Sequence, residues 1–163
     1  MLANITYNQN ELTTSGTWTA AGRAANDAAG ANSFNDYQAR KAPNTTRHQS
    51  ADLALFAQFM RSAGLEPGDF ENDATAWAGI TWGMLEAFVR WQLLAGYAIG
   101  TINLRLATVR TYAKLALKAG ALSQENYAMI CTVKGYSHIE GRHLDGERET
   151  TRLGSKKAEP VSI

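Results

Sequence analysis

The stretch Gly100–Gly120, GTINLRLATVRTYAKLALKAG, constrains this chain more than any other. It predicts one helix of about five turns. Thr101 is its expected N-cap, because a threonine hydroxyl accepts from the unpaired N–H groups of a first turn. Gly120 ends it, since glycine enters the left-handed region without a steric penalty. At about 100° per residue, Ile102, Leu106, Val109, Ala113 and Ala116 share a narrow apolar arc, the mark of a face turned to a core. Asn103, Arg110, Lys114 and Lys118 share a neighbouring arc, with Arg105 on the other flank. From Arg105 to Lys118 there are four cations and no acid. Such a helix predicts a core built on one side and a basic stripe on another.

The 163 residues give room for one domain plus flanking segments. The net charge of +1 carries no global signal, so any electrostatic preference must lie in how charge is distributed. The single cysteine, Cys131, excludes an internal disulfide and fits a reducing compartment; it is expected as a small buried apolar residue. No run approaches the ~18 apolar residues of a membrane span. The start, MLANITYNQN, lacks the basic-then-apolar order of a secretory signal. A soluble, cytoplasmic protein without a membrane partner is the expectation.

Taken in order, residues 1–32 are rich in Thr, Asn, Gly and Ala, with Gly22 and Gly30 interrupting the Ala-rich part and no large apolar anchor after Trp18. They are expected as a mobile leader. SFNDYQARK predicts a short helix capped by Ser33 that stops before Pro43. Asn44 is the expected cap of a long helix, TTRHQSADLALFAQFMRSA, ended by Gly64. Leu53, Phe56, Phe59, Met60 and Ala63 lie on one side of it. Arg47, Ser50, Ala51, Ala54, Gln58 and Arg61 lie on the other, where the small alanines allow close approach to another surface. An acidic connection follows, with Glu66, Asp69, Glu71 and Asp73, and Trp77 and Ile80 fold back onto the core. Thr81 caps WGMLEAFVRWQLLA, closed by Gly96. With Met84, Leu85, Phe88, Trp91, Leu94 and Ala95 this is the most apolar helix, expected to be buried by the others.

After the basic helix, Ser123 caps QENYAMICTVK, with Tyr127, Ile130, Cys131 and Val133 facing inward and Gly135 at the end. From Tyr136 to Ile163 the apolar periodicity disappears, and an extended linker is expected in place of a further packed helix. The chain stops at PVSI without a terminating element, as expected where a second domain follows. The fold class is therefore all-α, a compact bundle of four to five helices spanning residues 33–135. A flexible leader (1–32) and a linker toward a missing domain (136–163) flank it.

Charge by segment is uneven. Residues 34–65 carry four cations and two acids, residues 66–99 one cation and five acids, and residues 100–122 four cations and no acid. If the two basic helices lie side by side they make one positive face with a negative back, which binds a polyanion on one side only. The bland alternative for each stripe is a solvated face on an ordinary bundle helix.

NTTRHQSADLALFAQFM, then ITWGMLEAFVRWQLLAGYAIGTINLRLATVRTYAKLALKAG, then a short helix and TRLGSKKAEP, resemble the N-terminal core-binding domain of tyrosine recombinases, the phage integrase family. GTINLRLATVR is the most specific part, similar to the family's S-x-x-T-I-N-x-R-L-S-x-[IV]-R. TRLGSKKAEP is similar to the joint leading into the catalytic domain. The resemblance implies a SAM-like helical bundle that grips one side of a recombination half-site. It also implies that the helices near Asn44 and Gly100 lie in or along adjacent major grooves. The implied partners are double-stranded DNA, the protein's own catalytic domain and neighbouring protomers on DNA, in a bacterial, phage or mobile-element setting. The family's His-x-x-Arg pair and nucleophilic tyrosine have no counterpart here, because His138 and Arg142 have the wrong spacing. No catalytic residue, metal ligand or cofactor site is assigned, and this piece is expected not to be an enzyme.

Arg47, at the opening turn of its helix, is the leading candidate for a phosphate or base-edge contact, with Thr45, Thr46 and His48 beside it. The alternative for the threonines is simple capping, and for His48 a neutral surface histidine. Thr101, Asn103, Arg105, Arg110 and Lys114 form the second set, because Asn pairs with adenine and Arg with guanine where they reach base edges. Asn103 has reinforcement of the helix start as its alternative, and an arginine of this set has pairing with the acidic connection. Lys156 and Lys157, in the linker, are expected to track the DNA backbone. Leu104 and Leu115, away from the core stripe, point to the competing function, a helical protein–protein interaction module.

Overall fold

The structure, a computed structural model, describes residues 9–147, with side chains described from Gly16 onward. Among the described residues seven α-helices follow one another: α1 (Gln9–Ala31), α2 (Ser33–Ala39), α3 (Pro43–Ser62), α4 (Trp82–Leu94), α5 (Ile99–Lys118), α6 (Gln124–Cys131) and α7 (His138–Glu147). A 3₁₀ turn at Ala74–Trp77 lies between α3 and α4, and no strand occurs among the described residues. The fold is all-helical. No helix among these residues is long and apolar enough to cross a membrane.

The basic stretch is the hub, because every other helix touches α5. Ile102, Leu106, Val109, Ala113 and Ala116, the expected apolar arc, are all buried. Tyr112, Thr108 and Leu115 are buried as well. The expectation that α4 would be the enclosed helix is therefore corrected. Leu94 is exposed, Trp82 is exposed, and Met84 and Trp91 are half-buried. Hydrophobicity summed along α4 did not reveal that α5, with neighbours on several sides, has the better-covered surface. Between α3, α4 and the returning connection lies an aromatic cluster of Phe56, Phe59, Phe70, Trp77, Phe88 and Trp91. Burying a large apolar side chain contributes about 1.5–3 kcal/mol. The Trp77 indole N–H donates to the Phe70 carbonyl at 3.0 Å, so this fully buried ring leaves no polar atom unpaired.

Helix ends divide into two groups. Gly64, Gly96 and Gly120 have φ near +85°, each just past its helix, as expected of C′ glycines. Ser123 accepts from the Asn126 N–H, as an N-cap should. Thr81 holds the N-cap position without a side-chain cap bond. At three other starts the expected caps are displaced. Pro43 occupies the first turn of α3 after Ala42, so Asn44 lies inside the helix. Ser33 is the first residue of α2, not its cap, and its buried hydroxyl donates to the Leu115 carbonyl at 3.1 Å. The start of α5 follows Ala98, not Thr101, and its Ile99 N–H donates to the Asp145 carboxylate of α7 at 3.2 Å. That carboxylate also sits where a helix dipole favours negative charge.

Helix α1 lies within the expected leader, and α7 is a packed helix where an extended linker was expected. Residues 16–29 of α1 are exposed, which explains why no apolar periodicity announced a helix there. Its anchor is Gly30, buried so closely on α5 that a Cβ would collide with the Lys118 carbonyl oxygen. In α7, Gly141 packs directly on Ile99, and Leu144 is partly buried against the core. These short contacts, together with Asp145, hold α7 against the start of α5. The remainder of the expected linker, residues 148–163, lies outside the described residues. Gly30→Ala is expected to destabilise the chain by about 1–3 kcal/mol through overpacking, read as a lower urea midpoint. An unchanged midpoint would mean that α1 does not dock as described.

Candidate nucleic-acid interface

The seam between α3 and α5 is fixed by one carboxylate. Asp52 accepts a 2.7 Å hydrogen bond from the Thr108 hydroxyl and lies 3.9 Å from the Arg105 Nε. Arg105 also donates to the buried Gln92 side chain of α4 at 3.2 Å, and its guanidinium sits 4.2 Å from the centre of the Tyr97 ring. One arginine thus ties three helices together. Burial pushes the Asp52 carboxyl above the ordinary aspartate value of 3.8, while the Thr108 hydrogen bond, Arg105 and His48 act in the opposite direction.

Above this seam opens a groove of about 620 Å³. Thr45 and His48 line it from α3, and Thr101, Leu104, Arg105 and Thr111 from α5. Four of the expected contact residues, Thr45, His48, Thr101 and Arg105, therefore share one concave surface. Arg47, the leading candidate, is exposed on α3 but does not line the groove. Ala51 and Ala107 also face the groove, so the anticipated close approach along the small-residue side of α3 is realised.

The other expected contacts are not brought to this groove. Asn103 is engaged with the backbone of Tyr136, accepting from its N–H and donating to its carbonyl, both at 2.9 Å. A Cβ at Gly135 would collide with the Asn103 amide oxygen, so this clamp requires glycine there. Arg110 turns toward α6 beside Tyr127, with its Nε and one terminal nitrogen buried and unpaired. Burial, followed by a hydrogen bond with Cys131, pushes the Tyr127 phenol up to about 12 despite the nearby arginine. Lys114 is exposed but does not line the groove. Thr46 donates to the Pro43 carbonyl at 3.0 Å, a first-turn role. Lys156 and Lys157 lie outside the described residues. The basic stripe of α5 is thus divided among three environments, because α5 has neighbours on most of its circumference. Two further expectations are corrected. Leu115 is buried beneath the α1–α2 corner, and Cys131 is exposed at the end of α6.

Several groove residues carried no signal in the charge pattern. Thr108 and Thr111 of α5 face the groove side by virtue of the i, i+3, i+4 spacing that begins at Thr101 and Leu104. Asp52 reads in the sequence as an isolated acid on a basic helix, and only the packed pair of helices shows it as the counter-charge of Arg105. No family model, curated protein or solved structure matches this chain.

A carboxyl raised in the folded state binds its proton more tightly than in the unfolded chain. The cost of keeping Asp52 ionised in the fold is therefore present at neutral pH and is relieved as pH falls through its folded value toward 3.8. In a His48→Ala background, native Asp52 should gain stability relative to Asp52→Asn between pH 7 and about pH 4, close to its ordinary value. Urea unfolding at the two pH values checks this; a constant or reversed difference would contradict the assigned burial.

Proposed function

We propose that this chain is the non-catalytic, DNA-gripping part of a tyrosine site-specific recombinase, with a SAM-like core-binding arrangement, and that duplex DNA lies in the α3–α5 groove. The observation that supports this reading most is the convergence of Thr45 and His48 with Thr101 and Arg105, residues more than fifty positions apart in the chain, on one concave surface. Arg47 is exposed in the same turn of α3 as Thr45 and His48, outside the groove lining. Hydroxyl, imidazole and guanidinium groups are the types that position a protein on phosphates. Arg105 is held by Asp52 and Gln92. Its place in the proposal is as a fixed wall of the groove, with the mobile positive charge supplied by Arg47. The chemistry of strand exchange belongs, in this reading, to a separate catalytic domain, and the residues here supply grip and register.

One observation favours a second reading. Leu104 is 71% exposed and lines the groove together with the small side chains of Ala51 and Ala107. An apolar residue so placed suits a helix from a protein partner. The two readings predict opposite behaviour for Leu104→Lys. A groove for DNA gains a cation, so binding tightens and the slope of log K against log salt steepens by about 0.9. A groove for an apolar partner loses its contact and gains nothing toward DNA.

The test is fluorescence anisotropy of the full 163-residue chain with a labelled 20-base-pair duplex. If four to five phosphates are neutralised, affinity should fall by roughly two orders of magnitude between 50 and 200 mM salt. Arg47→Ala should lower the salt slope by about 0.9. Absence of binding, or binding indifferent to salt, would overturn the proposal.

A further inference from the structure

The face of α5 that lines the groove does not end with it. Thr101, Leu104, Thr108 and Thr111 are followed at helical spacing by Leu115 and Lys118, which line a second concavity of about 350 Å³. Arg40 and Lys41, just past the end of α2, close it from the other side, and Asp36 and Tyr37 complete the wall. The two concavities share a partition. The Tyr37 hydroxyl, in the second, accepts a 2.7 Å hydrogen bond from Gln49, which lines the first.

Three cations therefore converge on this hollow against one carboxylate. Among the described residues neither Arg40, Lys41 nor Lys118 forms an ion pair. Lys41 has its ammonium 5.0 Å from the centre of the Tyr37 ring, a contact that holds the side chain over the pocket wall without neutralising it. Positive charge gathered in a concave surface and left uncompensated is suited to an anion.

We propose that this hollow is a phosphate subsite for duplex DNA, continuous with the α3–α5 groove; the proposal rests on the DNA-binding reading given above. From Thr101 to Lys118 the shared face of α5 extends on the order of 25 Å, at about 1.5 Å per residue. At about 3.4 Å per phosphate along one strand, that length covers about seven successive phosphates. The groove takes one end of this track, and Arg40, Lys41 and Lys118 take the sugar-phosphate backbone at the other. Lys118 lies in the last turn of α5 and Arg40 caps α2. The same cations could serve only to offset helix dipoles, and the experiment separates the two roles.

The variant Arg40→Gln, Lys41→Gln, Lys118→Gln is compared with the wild-type chain and with Arg47→Ala, using the labelled 20-base-pair duplex across a salt series and thermal unfolding without DNA. The subsite predicts that the triple variant lowers the slope of log K against log salt by about 2.7, three phosphates at about 0.9 each, with an unchanged melting temperature. A lowered melting temperature with an unaltered salt slope assigns the cations to the helix ends and overturns the subsite. If the wild-type chain and Arg47→Ala differ while the triple variant binds like wild type, the groove stands and the subsite falls. If the wild-type chain binds no duplex, the DNA-binding reading itself fails and the subsite with it. Arg40→Gln alone, with an expected slope change of about 0.9, decides the matter where the triple variant does not fold.

Discussion

Every other helix of the described chain packs on α5, and a helix enclosed in this way must find partners for the polar groups its sequence carries. An uncompensated polar group in such a position costs on the order of 1–3 kcal/mol. The Asp52–Thr108–Arg105–Gln92 connection answers that demand on one side of α5, and the Asn103–Tyr136 clamp answers it on another. The same two devices fix how α3, α4 and the segment leading into α7 meet the hub. Arg110 is the exception, with two buried nitrogens unpaired beside α6. Electrostatic character at the surface is what remains after these internal demands are met.

This explains why the basic stripe does not survive folding as a single ridge. Arg105 becomes a structural tie, Arg110 turns to α6, and Lys114 stays exposed away from the groove. The surface left on the α3 side of α5 is instead a run of threonines, small residues and Leu104, with His48 in its wall and the Arg40–Lys41–Lys118 hollow at its end. Contact along such a track would be made with the helix faces close to the ligand, because alanine and threonine keep both backbones near the surface.

What was legible in the sequence was local. The apolar arc of α5, the buried side of α3 through Leu53, Phe56, Phe59 and Met60, the return of Trp77 and the three C′ glycines all follow from periodicity or backbone preference. That α5 has a core-facing side was legible from its arc, but that it and not α4 is the enclosed helix was not. What stayed hidden depended on contacts between distant segments. Asp145 reaches the start of α5 from α7, Gly30 and Gly135 matter because other backbone or side-chain atoms press on them, and Asn103 is claimed by Tyr136. Helices α1 and α7 were missed for a related reason: each is anchored by a few close contacts at one end or on one side, not by a long apolar stripe. At the candidate site, Thr45, His48, Thr101 and Arg105 were found by residue type and helix position. Thr108, Thr111 and Asp52 needed the register between two helices, which no single stretch contains.

In the proposed reading, duplex DNA lies on the α3–α5 surface and not on the α6 side of the hub. The most direct measurement is an amide-resolved NMR titration of the isotopically labelled chain with a short duplex. Shift changes are expected to cluster at Thr45, Arg47, His48, Thr101, Leu104 and Thr108, while Tyr127, Ile130 and the rest of α6 stay unperturbed. Changes centred on Arg110 and α6, or none at saturating duplex, would contradict this reading.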